Sequence, residues 1–289
     1  MPPFLIHPHR RARRGVTIVE LVVAITLLLL LMGIGAITAT RALATQARSS
    51  AADTRAVAIS DALHTLARHT IDADPGAGDL FVVRDTVLQL RRAIGITSVC
   101  RTAADTLVIS TGDATLPWST TLPRLVTDDD EVRLWHESSR TWMQRSIRLA
   151  SSASGLCGDS LSPWPDRARQ RLVLDSGLPG IRAGSTVRVL QRGRWSLVRG
   201  GDGKWSLALA SWNSARSGFG TPQPLLSPLA SPSAPTGPGF AVRAISKTGV
   251  TLPPTALADA HSIIAVIRSA THPQIGHASD SVRMNVRTH

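Results

Sequence analysis

The chain has 289 residues, of which 43% are hydrophobic and 18% charged, and its 32 Lys+Arg against 20 Asp+Glu give a net charge of +12. This composition excludes wholesale disorder and is large enough for a substantial core. Two cysteines exclude both a disulfide-dense scaffold and a four-cysteine zinc ribbon.

The N-terminus opens with a dense basic run, Arg10, Arg11, Arg13 and Arg14. An apolar stretch of 25 residues, Val16 to Thr40, follows and is interrupted only by Glu20 and a few Thr and Gly. About 20 such residues cross a hydrocarbon core as a helix. The heavier positive charge on the N-terminal flank predicts a cytoplasmic N-terminus with everything after Thr40 outside the inner membrane. A cleaved secretory signal ending at Ala42-Leu43-Ala44 would need a much shorter apolar region. A plain signal anchor and a twin-arginine signal at Arg13-Arg14 are the other readings, and neither accounts for Glu20. A carboxylate within an apolar span is costly and calls for a functional explanation.

Arg14-Gly15-Val16-Thr17-Ile18-Val19-Glu20, followed by an unbroken apolar run, resembles the leader of the type IV prepilin family, which includes pilins and type II secretion pseudopilins. The resemblance implies cleavage after Gly15 by a dedicated prepilin peptidase and N-methylation of the new terminus, Val16. It also implies an assembly role for Glu20 as the fifth residue of the processed chain. Val16 departs from the Phe usual in the family. Removing 15 residues and four arginines would leave 274 residues with a net charge of +8. Part of the basic excess is then a topology signal, and no nucleic-acid partner is expected.

Arg41 to Thr70 contains neither Pro nor Gly, so the helix is expected to continue and to stop near Asp74-Pro75-Gly76. Ile59, Leu63, Leu66 and Thr70 form the apolar stripe of this second half. Beyond Gly78 the period changes to two. Strands are expected over Thr106–Thr111, Val132–His136, Trp142–Leu149, Arg171–Asp175, Phe240–Ser246 and Ser262–Ser269. Val282, Met284 and Val286 alternate with polar residues as a further strand. Gly200-Gly201-Asp202-Gly203 joins two strand segments as a hairpin. Residues 85–94 fit either element and lean to strand. The stretch from Thr221 to Gly239, with six prolines, reads as a loop.

The expected fold is therefore α+β and pilin-like. A basic leader (1–15) precedes a transmembrane half-helix (16–40) and its soluble continuation (41–70), and an antiparallel β-rich periplasmic head (71–289) follows. The size of the head resembles a minor subunit, a J-type pseudopilin or a W-type minor pilin. The implied partners are the peptidase, other pilin-like subunits and an inner-membrane assembly platform. The implied fate is a single-pass inner-membrane precursor that enters an extracytoplasmic filament.

No catalytic residue, cofactor or metal is expected. Gly158-Asp159-Ser160-Leu161 spells an esterase signature, but Asp259-Ala260-His261 lacks the spacing of its base and no oxyanion block accompanies it. His64 and His69 fall on different helix faces, and His261, His272, His277 and His289 have no ligand spacing. Asp128-Asp129-Asp130-Glu131 lacks the pattern of a calcium loop and reads as a solvated acidic turn. The scattered Arg133, Arg188, Arg199, Arg243 and Arg283 read as solvated charges. Cys100 and Cys157, both beyond the membrane span, form either a disulfide, as an oxidising compartment favours, or two buried thiols.

Overall fold

The computed structural model describes residues 17–111, 121–153, 169–272 and 276–286. One helix, α1, runs from Ile18 to Thr70 over 53 residues. The chain forms two compact units that divide within this helix, between Ala52 and Asp53.

In the first unit every helical side chain from Ile18 to Ser50 is exposed, including a nearly continuous apolar run to Leu43. Among the described residues this is the one helix long and apolar enough to cross a membrane. Its hydroxyls bond back to the backbone: Thr26 Oγ1 donates to Val23 O at 2.9 Å and Thr38 Oγ1 to Ile34 O at 3.0 Å. Such bonds let Thr sit in an apolar span without an unsatisfied donor.

In the second unit the helix buries Ile59, Leu63, Leu66 and Thr70, the four residues of the predicted stripe. Each of the three aliphatic side chains contributes roughly 1.5–3 kcal/mol by leaving water. The helix ends at Thr70, four residues before the Asp74-Pro75 step, at which proline disfavours a helical conformation for the residue before it.

The head contains β1 (Leu80–Arg84), β2 (Val87–Ala103), β3 (Thr106–Ser110), β4 (Asp130–His136), β5 (Thr141–Ala153), β6 (Arg169–Leu174), β7 (Thr186–Arg199), β8 (Trp205–Asn213), β9 (Gly218–Phe219), β10 (Gln223–Leu229), β11 (Phe240–Ile245), β12 (Ser262–Arg268) and β13 (Ser279–Asn285). All pairings between strands are antiparallel. The predicted strands are present, residues 85–94 fall largely in β2, and the β7–β8 hairpin turns at Gly200–Gly203, with Gly200 N donating to Lys204 O at 2.8 Å. The proline-rich stretch is only partly a loop. Gln223–Leu229 is a strand at the edge of the sheet, where Pro224 and Pro228 are tolerated because one side of the ladder needs no donor.

Two strands are long enough to serve two cores. The strand order β2-β3-β6-β5-β4-β7, together with the β2–β7 pairing, closes a six-stranded ring. Val99, Leu107, Ile109, Val132, Leu134, Leu172, Leu174, Val187 and Val189 fill its interior. The remaining halves of β2 and β7 continue into β1, β8 and β10. They pack with α1 and the three-stranded sheet β11-β12-β13 around a second core that includes Leu88, Leu90, Trp195, Phe240, Ile263 and Ile267. The passage from one core to the other is marked on β2 by a register shift between Ala93 and Gly95. A Cβ on Gly95 would lie 2.8 Å from Thr121 O, so only glycine admits the segment that crosses there.

Candidate functional site

The N-terminus of α1 is built by two residues. Glu20 N donates to Thr17 Oγ1 at 3.2 Å, and Thr17 N donates to Glu20 Oε2 at 3.1 Å. Thr17 Oγ1 also lies 3.2 Å from the same carboxylate oxygen. This reciprocal arrangement is a capping box: it satisfies two donors that a helix start would otherwise leave open, and it places a negative charge at the positive end of the helix dipole. Glu20 is exposed and held in this position before any neighbour is present. The pattern Thr-x-x-Glu before an apolar run was the available signal for this contact. Gly15 and Val16, the expected cleavage and methylation residues, lie outside the described residues.

From Ile18 to Thr40 the helix spans about 35 Å at 1.5 Å per residue, enough for a hydrocarbon core of about 30 Å. The exposed side chains of this length, with Ile18 at 81% and Ile25 at 48%, are not packed against the head among the described residues. They suit a bilayer or a bundle of like helices.

The C-terminal end of α1 is locked into the head by polar contacts as well as by its apolar stripe. Asp74 N donates to Asp79 Oδ2 at 2.8 Å. Arg133 on β4 donates through Nη1 to the same oxygen at 3.0 Å and through Nη2 to Asp79 Oδ1 at 2.5 Å. Arg91 on β2 and Arg192 on β7 both donate to Glu131 at 2.7 Å. Asp72, just past the helix end, pairs with Arg188 at 3.8 Å. Phe81 lies under both the Arg91 and the Arg192 guanidinium, at 4.6 and 4.9 Å. Charge and ring contacts thus join the helix exit to three strands of the head.

This lattice corrects two sequence expectations. The acidic run is not a solvated turn at its far end. Asp130 is 1% exposed and accepts from both Nη atoms of Arg124 at 2.8 and 2.7 Å, while Glu131 is 6% exposed between two arginines. Arg133 is 4% exposed and not a solvated charge, because its partner Asp79 lies 54 positions earlier on a segment that folds against it. Arg188 is likewise largely buried, against the Trp142 ring at 4.6 Å.

His64 is exposed, whereas His69 packs against Trp195 with ring centroids 5.5 Å apart. Burial pushes His69 down to about 4, and the nearby Arg92 charge acts in the same direction. Among the described residues no group of three or more His, Cys, Asp or Glu side chains is placed to hold a metal. Ser160, Cys157 and His289 lie outside the described residues. Cys100 is buried on β2.

Residues 10–36 match the family described as the prokaryotic N-terminal methylation motif. No match was found among curated proteins or among solved structures. The matched segment covers the basic run, Gly15, Val16, the capping box and most of the apolar span that ends at Thr40. It supports a type IV pilin-like protein with a structural role, and it implies processing by a prepilin peptidase and assembly with other pilin subunits.

Proposed function

We propose that the chain is a minor pseudopilin, a structural subunit that enters a short filament of a type II secretion system. One observation carries this reading. The methylation motif continues without a break into a helix that is apolar and exposed in its first half and built into a β-rich head in its second. Such continuity suits a filament subunit, in which position passes from a helix bundle to the head.

In this reading the peptidase cuts after Gly15 and methylates Val16, while the N-terminus stays cytoplasmic and the head periplasmic. The helix then leaves the bilayer for a bundle of like helices. There Glu20 pairs with the charged amino terminus of an adjacent subunit. No cation follows Glu20 on its own helix until Arg41, about 30 Å away at 1.5 Å per residue. A Cys100–Cys157 disulfide, formed in the periplasm, would brace the head.

Two measurements test the proposal. Mass spectrometry of the protein recovered from its own cells is expected to find N-methylated Val16 at the terminus, and Gly15→Leu is expected to leave the full-length precursor. A terminus at Thr45 would establish ordinary signal-peptide cleavage instead. Deletion of the gene is expected to abolish export of secreted enzymes and leave surface pili intact. The opposite pattern would assign the subunit to a type IV pilus.

A further inference from the structure

The outward face of the three-stranded sheet combines aliphatic and basic side chains. Along β12 the residues Ile263, Ala265 and Ile267 are fully buried, and the alternating Ile264 and Val266 remain partly exposed on the other face. The register places Arg243 and Arg283 directly across from Ile264 on the two flanking strands, with Ala241 and Ser281 across from Val266. Arg243 and Arg283 are therefore two strand spacings apart, roughly 9.5 Å, with an aliphatic side chain between them. Arg268 follows Val266 on the same face.

These three arginines are not neutralised. Among the described residues no carboxylate lies within ion-pair distance of any of them. Arg283 donates only to Ser262 Oγ, at 3.1 Å, and Arg268 only to Pro238 O, at 3.1 Å. Arg243 is exposed and makes no hydrogen bond among the described residues. By contrast, Arg91, Arg124, Arg133 and Arg192 hold carboxylates within the larger sheet. Beside the sheet face a cavity of about 490 Å³ opens between the Asp85–Thr86 turn, the proline-rich loop and β11, and both Arg243 and Arg268 line it. Asp85 is the acidic residue in this wall, and it pairs with neither arginine.

We propose that the outer face of β11-β12-β13 docks an extended acidic segment of a partner protein, with carboxylates on Arg243, Arg268 and Arg283 and aliphatic side chains on Ile264 and Val266. An extended chain presents alternate side chains to one side about every 6.8 Å, and Glu and Arg side chains readily span the remaining distance to a pair of cations about 9.5 Å apart. Guanidinium forks bind carboxylates in two-point contact and are less strongly hydrated than ammonium, so a row of unpaired arginines beside an aliphatic strip suits carboxylate with hydrocarbon. Opposite charge at the rim sets selectivity and on-rate. The inference concerns the head alone and stands whether the subunit serves a secretion system or a pilus.

The test uses the full-length protein in detergent and a fluorescent nine-residue peptide, Glu-Ser-Leu-Ser-Glu-Ser-Leu-Ser-Glu, which in extended form sets glutamate and leucine alternately on one side, read by anisotropy. Saturable binding is expected, at least about tenfold tighter than to the matched serine–leucine peptide and weakening as salt rises. The double variant Arg243→Glu/Arg283→Glu is expected to lose that preference and to gain binding of the lysine–leucine peptide. Arg171→Glu, at an exposed site on β6, is expected to bind as wild type does. The milder pair Arg243→Gln/Arg283→Gln, checked for an unchanged thermal transition, covers the case in which charge reversal unfolds the sheet. Equal binding of the glutamate and serine peptides would overturn the proposal. So would unchanged binding by the folded glutamine pair. Tighter binding of a single-stranded oligonucleotide or of phosphatidylglycerol vesicles than of the acidic peptide would also overturn it, in favour of a general polyanion surface.

Discussion

Thr17 and Glu20 hold each other at the start of the long helix, each donating its backbone N–H to the other's side chain, at 3.1 and 3.2 Å. The carboxylate proposed to pair with a neighbour's amino terminus therefore already has a local role, and substitutions must separate the two. Glu20→Gln keeps the cap, because Gln also closes a capping box, but removes the charge. It is expected to insert, to be cleaved after Gly15 and to fail to enter filaments. Glu20→Leu removes both functions, at a further cost of about 1 kcal/mol in local helix stability, and is expected to show the same assembly defect. Crosslinking of Glu20→Gln into filaments at wild-type levels would show that capping is all that Glu20 does.

Asp79 is the second test point. It is fully buried and bonds Arg133 through two oxygens. Removing one partner of a buried ion pair leaves the other charge without compensation, which costs about 3–5 kcal/mol. Asp79→Ala is expected to lower the unfolding free energy by that amount, read from denaturant titration of the head transition. The pair Asp79→Leu/Arg133→Leu is expected to recover most of the loss, since no charge is then stranded. A double variant as unstable as Asp79→Ala would indicate that the contact to Asp74 N is the dominant one.

The legible part of this protein was whatever is periodic or local. The stripe Ile59, Leu63, Leu66 and Thr70 is spaced for one helix face, and it is the face that is buried. The Gly-rich turn at 200–203 and the alternation along β12 were equally readable. The closed ring was not, because closure depends on β2 pairing with β7 about 100 positions later, and strand patterns carry no partner identity. The same limit hid the ion lattice. Arg133 among Val132 and Leu134 looks like the wet face of a strand until the segment around Asp79 is laid over it. At the N-terminus the same seven residues carry both a processing signal and a capping box, and the spacing Thr17-x-x-Glu20 that makes the cap is a local feature of the sequence.

The two cysteines give a third prediction. Cys100 is buried on β2, and Cys157 lies 57 positions further on. A closed loop of that size restricts the unfolded chain by about 4 kcal/mol in the chain-entropy account. Alkylation of the unfolded, unreduced protein is expected to label no thiol, and reduction is expected to lower the unfolding temperature. Two labelled thiols before reduction would establish the alternative of two buried free cysteines.

His69 sets the pH dependence of the join between helix and head. Its folded-state value is pushed down to about 4, first by burial beside Trp195 and then by the Arg92 charge. In the unfolded chain it titrates near 6.5. Between these values the unfolded state binds the proton and the folded state does not, so stability falls as pH drops from about 6.5 and the loss saturates below about 4. At 1.36 kcal/mol per unit the full loss is about 3 kcal/mol, reduced by the partial solvent access of the ring. Carboxylates also titrate at the lower end of this window, so the comparison needed is between wild type and His69→Leu under the same conditions. The variant is expected to show a flatter dependence of unfolding free energy between pH 6.5 and 5, where few carboxylates change charge. Parallel profiles for the two proteins across that range would mean that the His69 ring takes up its proton without leaving its place against Trp195.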